Sequence, residues 1–346
     1  MLMRPFRICA ITILAIALPF GLNRHVAAAQ EPAAPLTVGD YLVVGPTTHK
    51  NLSLFVVRGE DKIKAGKFLT LEEAMAKKTL VVRETGNVNR LTVENKGELP
   101  VYIQGGEIVR GGQQDRALEH DTVVPPKSGQ IAVSAYCVES GRWSARRGDP
   151  VSVFASSTQM LSTKKGKLAA RVQKNQGAVW DSVAGTQANL ASKVGAPVQN
   201  VASPTSLELS LEDKRVQDAV AGYMQVLSPL AESASDSVGF GFAINGQMSS
   251  VEIFASHALF VKAWGKLLRA ATVEAVSEYD DKKAYSAVAA QDVQALIIDA
   301  ERGVTTVEQI TPRVKATKKE TKDSVVITSE DAEQNNAPMR KTYLKK

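Results

Sequence analysis

The run from Gln104 to Arg116, Gln-Gly-Gly-Glu-Ile-Val-Arg-Gly-Gly-Gln-Gln-Asp-Arg, sets four ionisable residues among four glycines. Glu107, Arg110, Asp115 and Arg116 are the charges. A second dense run, Cys137-Val-Glu-Ser-Gly-Arg-Trp143, follows one expected strand later. Glycine weakens strands and charge resists burial, so core packing alone does not ask for this mixture. Two chemistries fit it. In the first, Gly105, Gly106, Gly111 and Gly112 let backbone amides approach an anion, Arg110, Arg116 and Arg142 meet it, and Trp143 forms a wall. In the second, Glu107 or Asp115 is a general base, with Cys137 or a bound water as nucleophile.

Each feature also has a plain structural use. The glycines make tight turns or bulges, and the carboxylates pair with the arginines. Cys137 continues the alternating apolar face Ile131, Val133, Ala135, where inert core cysteines sit. Trp143 packs as a core aromatic. From the residues alone these alternatives stay open. Other signatures are absent: the glycine run lacks the Lys-Ser/Thr of a phosphate loop, no long helix opens after it, and no Gly-x-Ser-x-Gly occurs. Beyond the leader the histidines are His49, His120 and His257, with no close pair, so neither a metal nor a cofactor is expected.

The elements around these runs are β-rich. Leu80 to Glu84, Val88 to Glu94, Leu99 to Gln104, Asp121 to Val124 and Gln130 to Val138 read as strands joined by turns. Tyr41 to Val44 and Leu52 to Val57 precede them, separated by a Gly45-Pro46 turn. Thr70-Leu-Glu-Glu73 is a capping box that opens a short helix. Helical spacing follows in Leu168–Lys174, Ala178–Ser192 and the segment after Ser210. Asn245-Gly246 lies between two β-runs as a hairpin signal, with Val238, Phe240, Phe242 and Ile244 on one face. Ser256 then caps a long amphipathic helix, and Ser286 to Ala300 gives a last one. The expected fold is therefore α+β: an antiparallel, sandwich- or barrel-like half completed by a helical segment and a C-terminal hairpin plus helix.

The 346 residues are 44% hydrophobic, enough to bury a sizeable core. Arg4 and Arg7, the apolar run Ile8 to Leu22 and Ala27-Ala28-Ala29 read as a signal peptide cleaved after Ala29, which predicts export to a periplasm or the exterior. No later run is apolar enough for a membrane helix. Three of the 42 basic residues precede the cleavage point, so 39 face 36 acidic ones in the mature chain, and no nucleic-acid partner is expected. Residues 30–37 read as a linker, 38–310 as the domain and 311–346 as a polar, disordered tail with one strand-like segment, Val325 to Thr328.

The two charged runs resemble the signature blocks of the ARPP domain, named for its association with ADP-ribosylglycohydrolase and rhodanese-phosphatase superfamily proteins. Asn175-Gln-Gly-Ala-Val-Trp180, Ala243-Ile-Asn-Gly246 and Phe260 to Leu268 fit as well. The resemblance implies the signature positions Glu107, Gly111, Gly112, Gln113, Arg116, Cys137, Glu139, Arg142 and Trp143. It also implies a ligand-binding or recognition domain for an anionic, nucleotide- or sugar-phosphate-like small molecule. A hydrolase and a cell-envelope interaction protein are the alternatives; protein partners are not specified.

Overall fold

In the computed structural model, residues 34–63, 68–146, 148 and 151–346 are described, and they belong to one compact unit. The predicted leader, its cleavage point and residues 30–33 of the predicted linker lie outside the described residues.

The chain opens with β1 (Leu36–Val38), β2 (Tyr41–His49) and β3 (Leu52–Arg58). A two-residue β4 (Leu69–Thr70) leads into α1 (Leu71–Ala76), whose capping box has Thr70 Oγ1 accepting the Glu73 amide and Glu73 accepting the Thr70 amide. Seven strands follow: β5 (Leu80–Glu84), β6 (Arg90–Asn95), β7 (Val101–Ile103), β8 (Glu107–Gly111), β9 (Arg116–Leu118), β10 (Thr122–Val124) and β11 (Gln130–Cys137). Then come β12 (Phe154–Met160), α2 (Lys164–Arg171), α3 (Gln176–Val194), α4 (Leu207–Leu211) and α5 (Lys214–Leu227). The hairpin β13 (Ser237–Ile244) and β14 (Gln247–Phe254) precedes α6 (His257–Glu278) and α7 (Ala290–Glu301). The chain closes with β15 (Val304–Gln309), β16 (Val314–Glu320), β17 (Ser324–Asp331) and β18 (Ala337–Lys345).

The fold is α+β, as the element pattern predicts. A nine-stranded sheet runs in the order β1-β2-β3-β13-β14-β18-β17-β16-β15. A six-stranded sheet, β12-β8-β9-β11-β6-β5, carries both signature blocks, and a small sheet joins β10, β7 and β4. On one side of the large sheet α7 buries Val293, Leu296 and Ile297 against Phe55, Val251 and Tyr343. On the other, Phe260 and Trp264 of α6 pack on Phe240, with ring centres 6.3 and 5.2 Å away. Gly241 admits the close approach of α7: a Cβ there would lie 3.5 Å from Val293 and 3.2 Å from Val251. Val238 joins the α7 side rather than the face of Phe240, because the register of β13 on β3 shifts between Ser237 and Gly239. Among the described residues no helix is long and apolar enough to cross a bilayer.

Two expected boundaries are corrected. Leu36 and Thr37 are not linker: they pair with Val43 and Leu42. The residues after Thr311 are not a disordered tail but three paired strands in the interior of the large sheet. Their average polarity hides the two-residue period. Val314, Ala316, Val325, Ile327, Met339 and Tyr343 are buried, while Lys315 and Glu330 pair across neighbouring strands at 3.1 Å.

Candidate functional site

The antiparallel pairing of β9 with β11 sets Cys137 opposite Arg116. Residues just before Arg116 therefore meet those just after Cys137, and the two charged runs become one locus. The Val138 amide donates to the Asp115 carbonyl at 3.1 Å, and the Asp115 amide to Glu139 Oε2 at 3.1 Å. Gly112, at φ +55°, turns the chain between β8 and β9. A Cβ there would stand 2.6 Å from Phe154 Cζ and 2.8 Å from Glu84 Oε2, so only glycine fits without displacing a ring.

Buried Asp115, Glu139 and Arg146 and the largely covered Arg142 close on one another at this junction. Arg142 grips Glu139 with two bonds of 2.7 Å. Arg146 Nη2 donates to Asp115 Oδ1 at 2.8 Å and its Nη1 to Ser206 Oγ at 3.1 Å. Ser206 Oγ donates to Asp115 Oδ2 at 3.1 Å, and Ser203 Oγ donates to Glu139. Among the described residues, two carboxylates here face two guanidiniums. Such a group tolerates burial only while every member keeps its partners.

The carboxyls respond differently to the same burial. For Glu139, burial pushes the pKa up, but bonds from Arg142, Ser203 and the Asp115 amide outweigh it and hold it below the ordinary glutamate range. For Asp115, burial wins with help from the Glu139 charge, despite Arg146, and its pKa is raised. Glu208 on α4 is pushed up to about 7, by burial first and then by the Asp115 and Glu212 charges; Ser157 Oγ bonds its Oε2 at 2.5 Å and opposes the rise.

Glu208 therefore folds best protonated. Its contribution is full below the ordinary glutamate range and is lost as pH rises through about 7. Glu208→Gln is expected to gain on the order of 3 kcal/mol relative to wild type between pH 5 and pH 8. Urea midpoints at the two pH values check this; an unchanged gap between the proteins would contradict the burial of an ionisable Glu208.

The other sequence candidates divide. Arg116 is fully buried, donating Nη1 to the Gln114 carbonyl at 2.8 Å and facing Glu84 at 3.5 Å. Its guanidinium lies 5.8 Å from the centre of the Trp143 ring, and Trp143 is 49% exposed rather than a core residue. The Gln113 amide donates to Glu84 Oε2 at 3.3 Å. Arg110 is partly exposed and meets Glu212 of the α4–α5 corner at 3.2 Å. Glu107 is not brought to this junction: it is buried against α6, where Lys266 Nζ reaches it at 2.8 Å. Cys137 is a core thiol. Burial pushes its pKa up to about 11, so it stays protonated at neutral pH, and the Gln176 amide group brackets its backbone with two bonds of 2.8 Å. Gln176 belongs to another of the resembling blocks.

Arg146, Ser203, Ser206 and Glu208 complete the junction but carry no signal in the sequence patterns above. Ser206 does precede Glu208 as a helix cap, accepting the Leu209 amide at 3.2 Å, and the loop before it is where a cap search would have looked. Among the described residues no group of histidine, cysteine or carboxylate side chains has the arrangement of a metal site.

The family model of the ARG and Rhodanese-Phosphatase-superfamily-associated Protein domain matches residues 40–337. No curated protein and no solved structure matches the chain.

Proposed function

Since the chain belongs to the ARG and Rhodanese-Phosphatase-superfamily-associated Protein family, we propose that it is an exported recognition domain whose signature blocks bind an anionic, nucleotide- or sugar-phosphate-like small molecule through its base or sugar face. The observation that carries this reading is Trp143. It is the one large aromatic of the two blocks with a half-exposed ring, and it is backed by a buried, partnered Arg116. A guanidinium behind an indole strengthens and orients the ring, leaving the other face for stacking. Arg116 and Arg142 are already matched by carboxylates, so they build the platform instead of meeting an anion. Arg110 is the exchangeable cation of the block: its surface pair with Glu212 is worth about 0–1 kcal/mol and yields readily to a phosphate. The predicted leader supports export.

The test is a thermal-shift and tryptophan-fluorescence screen against AMP, ADP-ribose and glucose 6-phosphate. A binder at a hundredfold excess over its Kd adds about 2.7 kcal/mol of stability. Trp143→Ala is expected to weaken it about tenfold or more, since one stacked base contributes roughly 1–3 kcal/mol. A binder that Trp143→Ala does not affect, or no binder at all, removes this reading.

A second reading rests on Asp115 and Glu208, two neighbouring carboxyls that burial raises to different degrees. Glu208, raised to about 7 beside Asp115, suits proton transfer near neutral pH. Of the hydrolase candidates Glu107, Asp115 and Cys137 it keeps Asp115, and it adds Glu208. Product release from a bound phosphate ester, abolished by Glu208→Gln with ligand affinity unchanged, is the result it requires.

A further inference from the structure

A cavity of about 320 Å³ lies away from the signature junction, between the face of the β15–β16 hairpin and the C-terminal end of α2. That volume is at the lower end of what small-molecule sites enclose. Its ionisable lining is Arg171, Lys174, Lys318 and His120 against the single carboxylate Glu308; Thr306 adds a hydroxyl, and Val307, Ala316 and Ile327 are its apolar part.

Arg171 is the built part of this lining. It is 6% exposed, with Nη1 donating to Thr342 Oγ1 at 3.2 Å and Nη2 to Asp121 Oδ2 at 3.4 Å. Its Nε is buried without a hydrogen-bond partner among the described residues. A buried donor of that kind costs free energy until something accepts from it. The carboxylates behind the cavity are already engaged: Asp121 by Arg340 at 2.8 Å, and Glu119 by His120 at 3.0 Å and by Lys174, which it shares with Glu308, at 3.4 Å. Lys318 meets Glu320 at 2.8 Å on its own strand.

Glu308 is different. It sits on β15, the edge strand of the large sheet, where all six residues are exposed. Both its oxygens take Lys174 Nζ, at 2.8 and 2.7 Å, and its side chain is still 48% exposed. It holds a cation at the mouth of the cavity the way an incoming anion would, and a half-exposed pair of this kind exchanges at little cost.

We propose that this cavity binds a small organic anion, a carboxylate or phosphate monoester with a short apolar portion. The anion takes the place of Glu308 on Lys174 and accepts from Arg171 Nε, while its apolar portion covers Ala316 and Ile327. The site is separate from Trp143.

The experiment follows the Arg171 Nε–H resonance of the full chain by NMR while butyrate, butyl phosphate or inorganic phosphate is added. A saturable shift is expected for butyrate or butyl phosphate, and the tighter of the two identifies the head group. Glu308→Gln is expected to tighten binding at least threefold by removing the competing carboxylate. Lys174→Gln, a change at a partly exposed position, is expected to weaken it about tenfold, the scale of one charge-assisted bond. Trp143→Ala should leave it unchanged, which separates this site from the recognition reading above. No saturable shift in either wild type or Glu308→Gln overturns the proposal. So does equal binding by Lys174→Gln. Saturation by inorganic phosphate alone overturns its apolar part.

Discussion

Arg340→Met is expected to destabilise the protein by about 3–5 kcal/mol, the cost of stranding buried charges whose partner is gone. Arg340 is buried where β18 of the large sheet meets the Gly105 turn and Asp121, the residue before β10. Its Nε donates to Glu252 Oε2 and its Nη1 to Asp121 Oδ1, each at 2.8 Å, and a third bond of 3.3 Å reaches the Gly105 carbonyl. Asp121 also receives the Gly105 amide at 2.7 Å and Ser329 Oγ at 2.9 Å; Glu252 receives Thr342 Oγ1 at 2.8 Å and faces Lys167 at 3.9 Å. One guanidinium thus ties the first signature block to the central hairpin and the last strand.

Burial pushes both acids up, yet the guanidinium holds each below its ordinary range, Arg171 helping at Asp121 and Lys167 at Glu252. Without Arg340 the carboxyls of the folded state rise and take up protons. The loss in Arg340→Met is therefore expected to be smaller at pH 5 than at pH 8, because protonation relieves the stranded charge. Replacing Arg340, Asp121 and Glu252 together with apolar residues of similar volume should restore much of the stability. Urea denaturation of the three proteins at both pH values decides the matter. A single-variant cost below about 1 kcal/mol would mean that solvent reaches these groups.

Ending the chain at Ile310 is expected to abolish cooperative folding. The deletion removes β16, β17 and β18, which sit between β14 and the edge strand β15. It strips β14 of its partner from Ser250↔Leu344 to Phe254↔Arg340 and leaves β15 with no strand to pair. It takes Val326 and Tyr343 from beneath α7 and Val325, Ile327 and Leu344 from the cluster that Leu168 and Val172 of the α2 segment cover. It also removes Arg340. A domain's whole margin is about 5–15 kcal/mol, and fully burying one large apolar side chain is worth roughly 1.5–3 kcal/mol, so these losses together exceed it. The shortened chain should show no sharp thermal transition and should bind dyes that report exposed apolar surface. A cooperative melt at the wild-type temperature would restore the view of residues 311–346 as a dispensable tail.

Local signals in the chain translate well into local structure. The Thr70–Glu73 capping box forms as written, and Asn245-Gly246 turns the hairpin that the alternating aromatics flank. The strands expected at Leu80–Glu84, Val88–Glu94, Leu99–Gln104, Asp121–Val124 and Gln130–Val138 form within two residues of those bounds, whereas β8 and β9, inside the glycine run, had no strand signal. These features depend on neighbours a few positions away, so the sequence window contains the whole interaction. The tail misled for a related reason. Its strands are polar on average because they carry cross-strand ion pairs and share one buried charge network, and averaging conceals a period of two.

The two glycine-bent blocks, Gln104–Arg116 and Cys137–Trp143, are legible in the sequence as a special locus and as a family signature. That much follows from residue type, since glycines and charges set among strands have few packing uses. What those charges do was decided by tertiary pairing. Setting Cys137 against Arg116 brought Asp115 to Glu139 and delivered Arg142 and Arg146 to neutralise them, whereas Glu107, three residues from Arg110, was carried away to Lys266 on α6. Ser203, Ser206 and Glu208 reached the same point from more than sixty positions downstream of Glu139. The electrostatic state of a carboxyl depends on what lies within a few ångströms of it, not on its neighbours along the chain. The sequence by itself determined which residues are unusual and where most strands and caps begin; the fold alone determined which charges are spent on one another and which features, the Trp143 ring and the cavity beside β15, stay open.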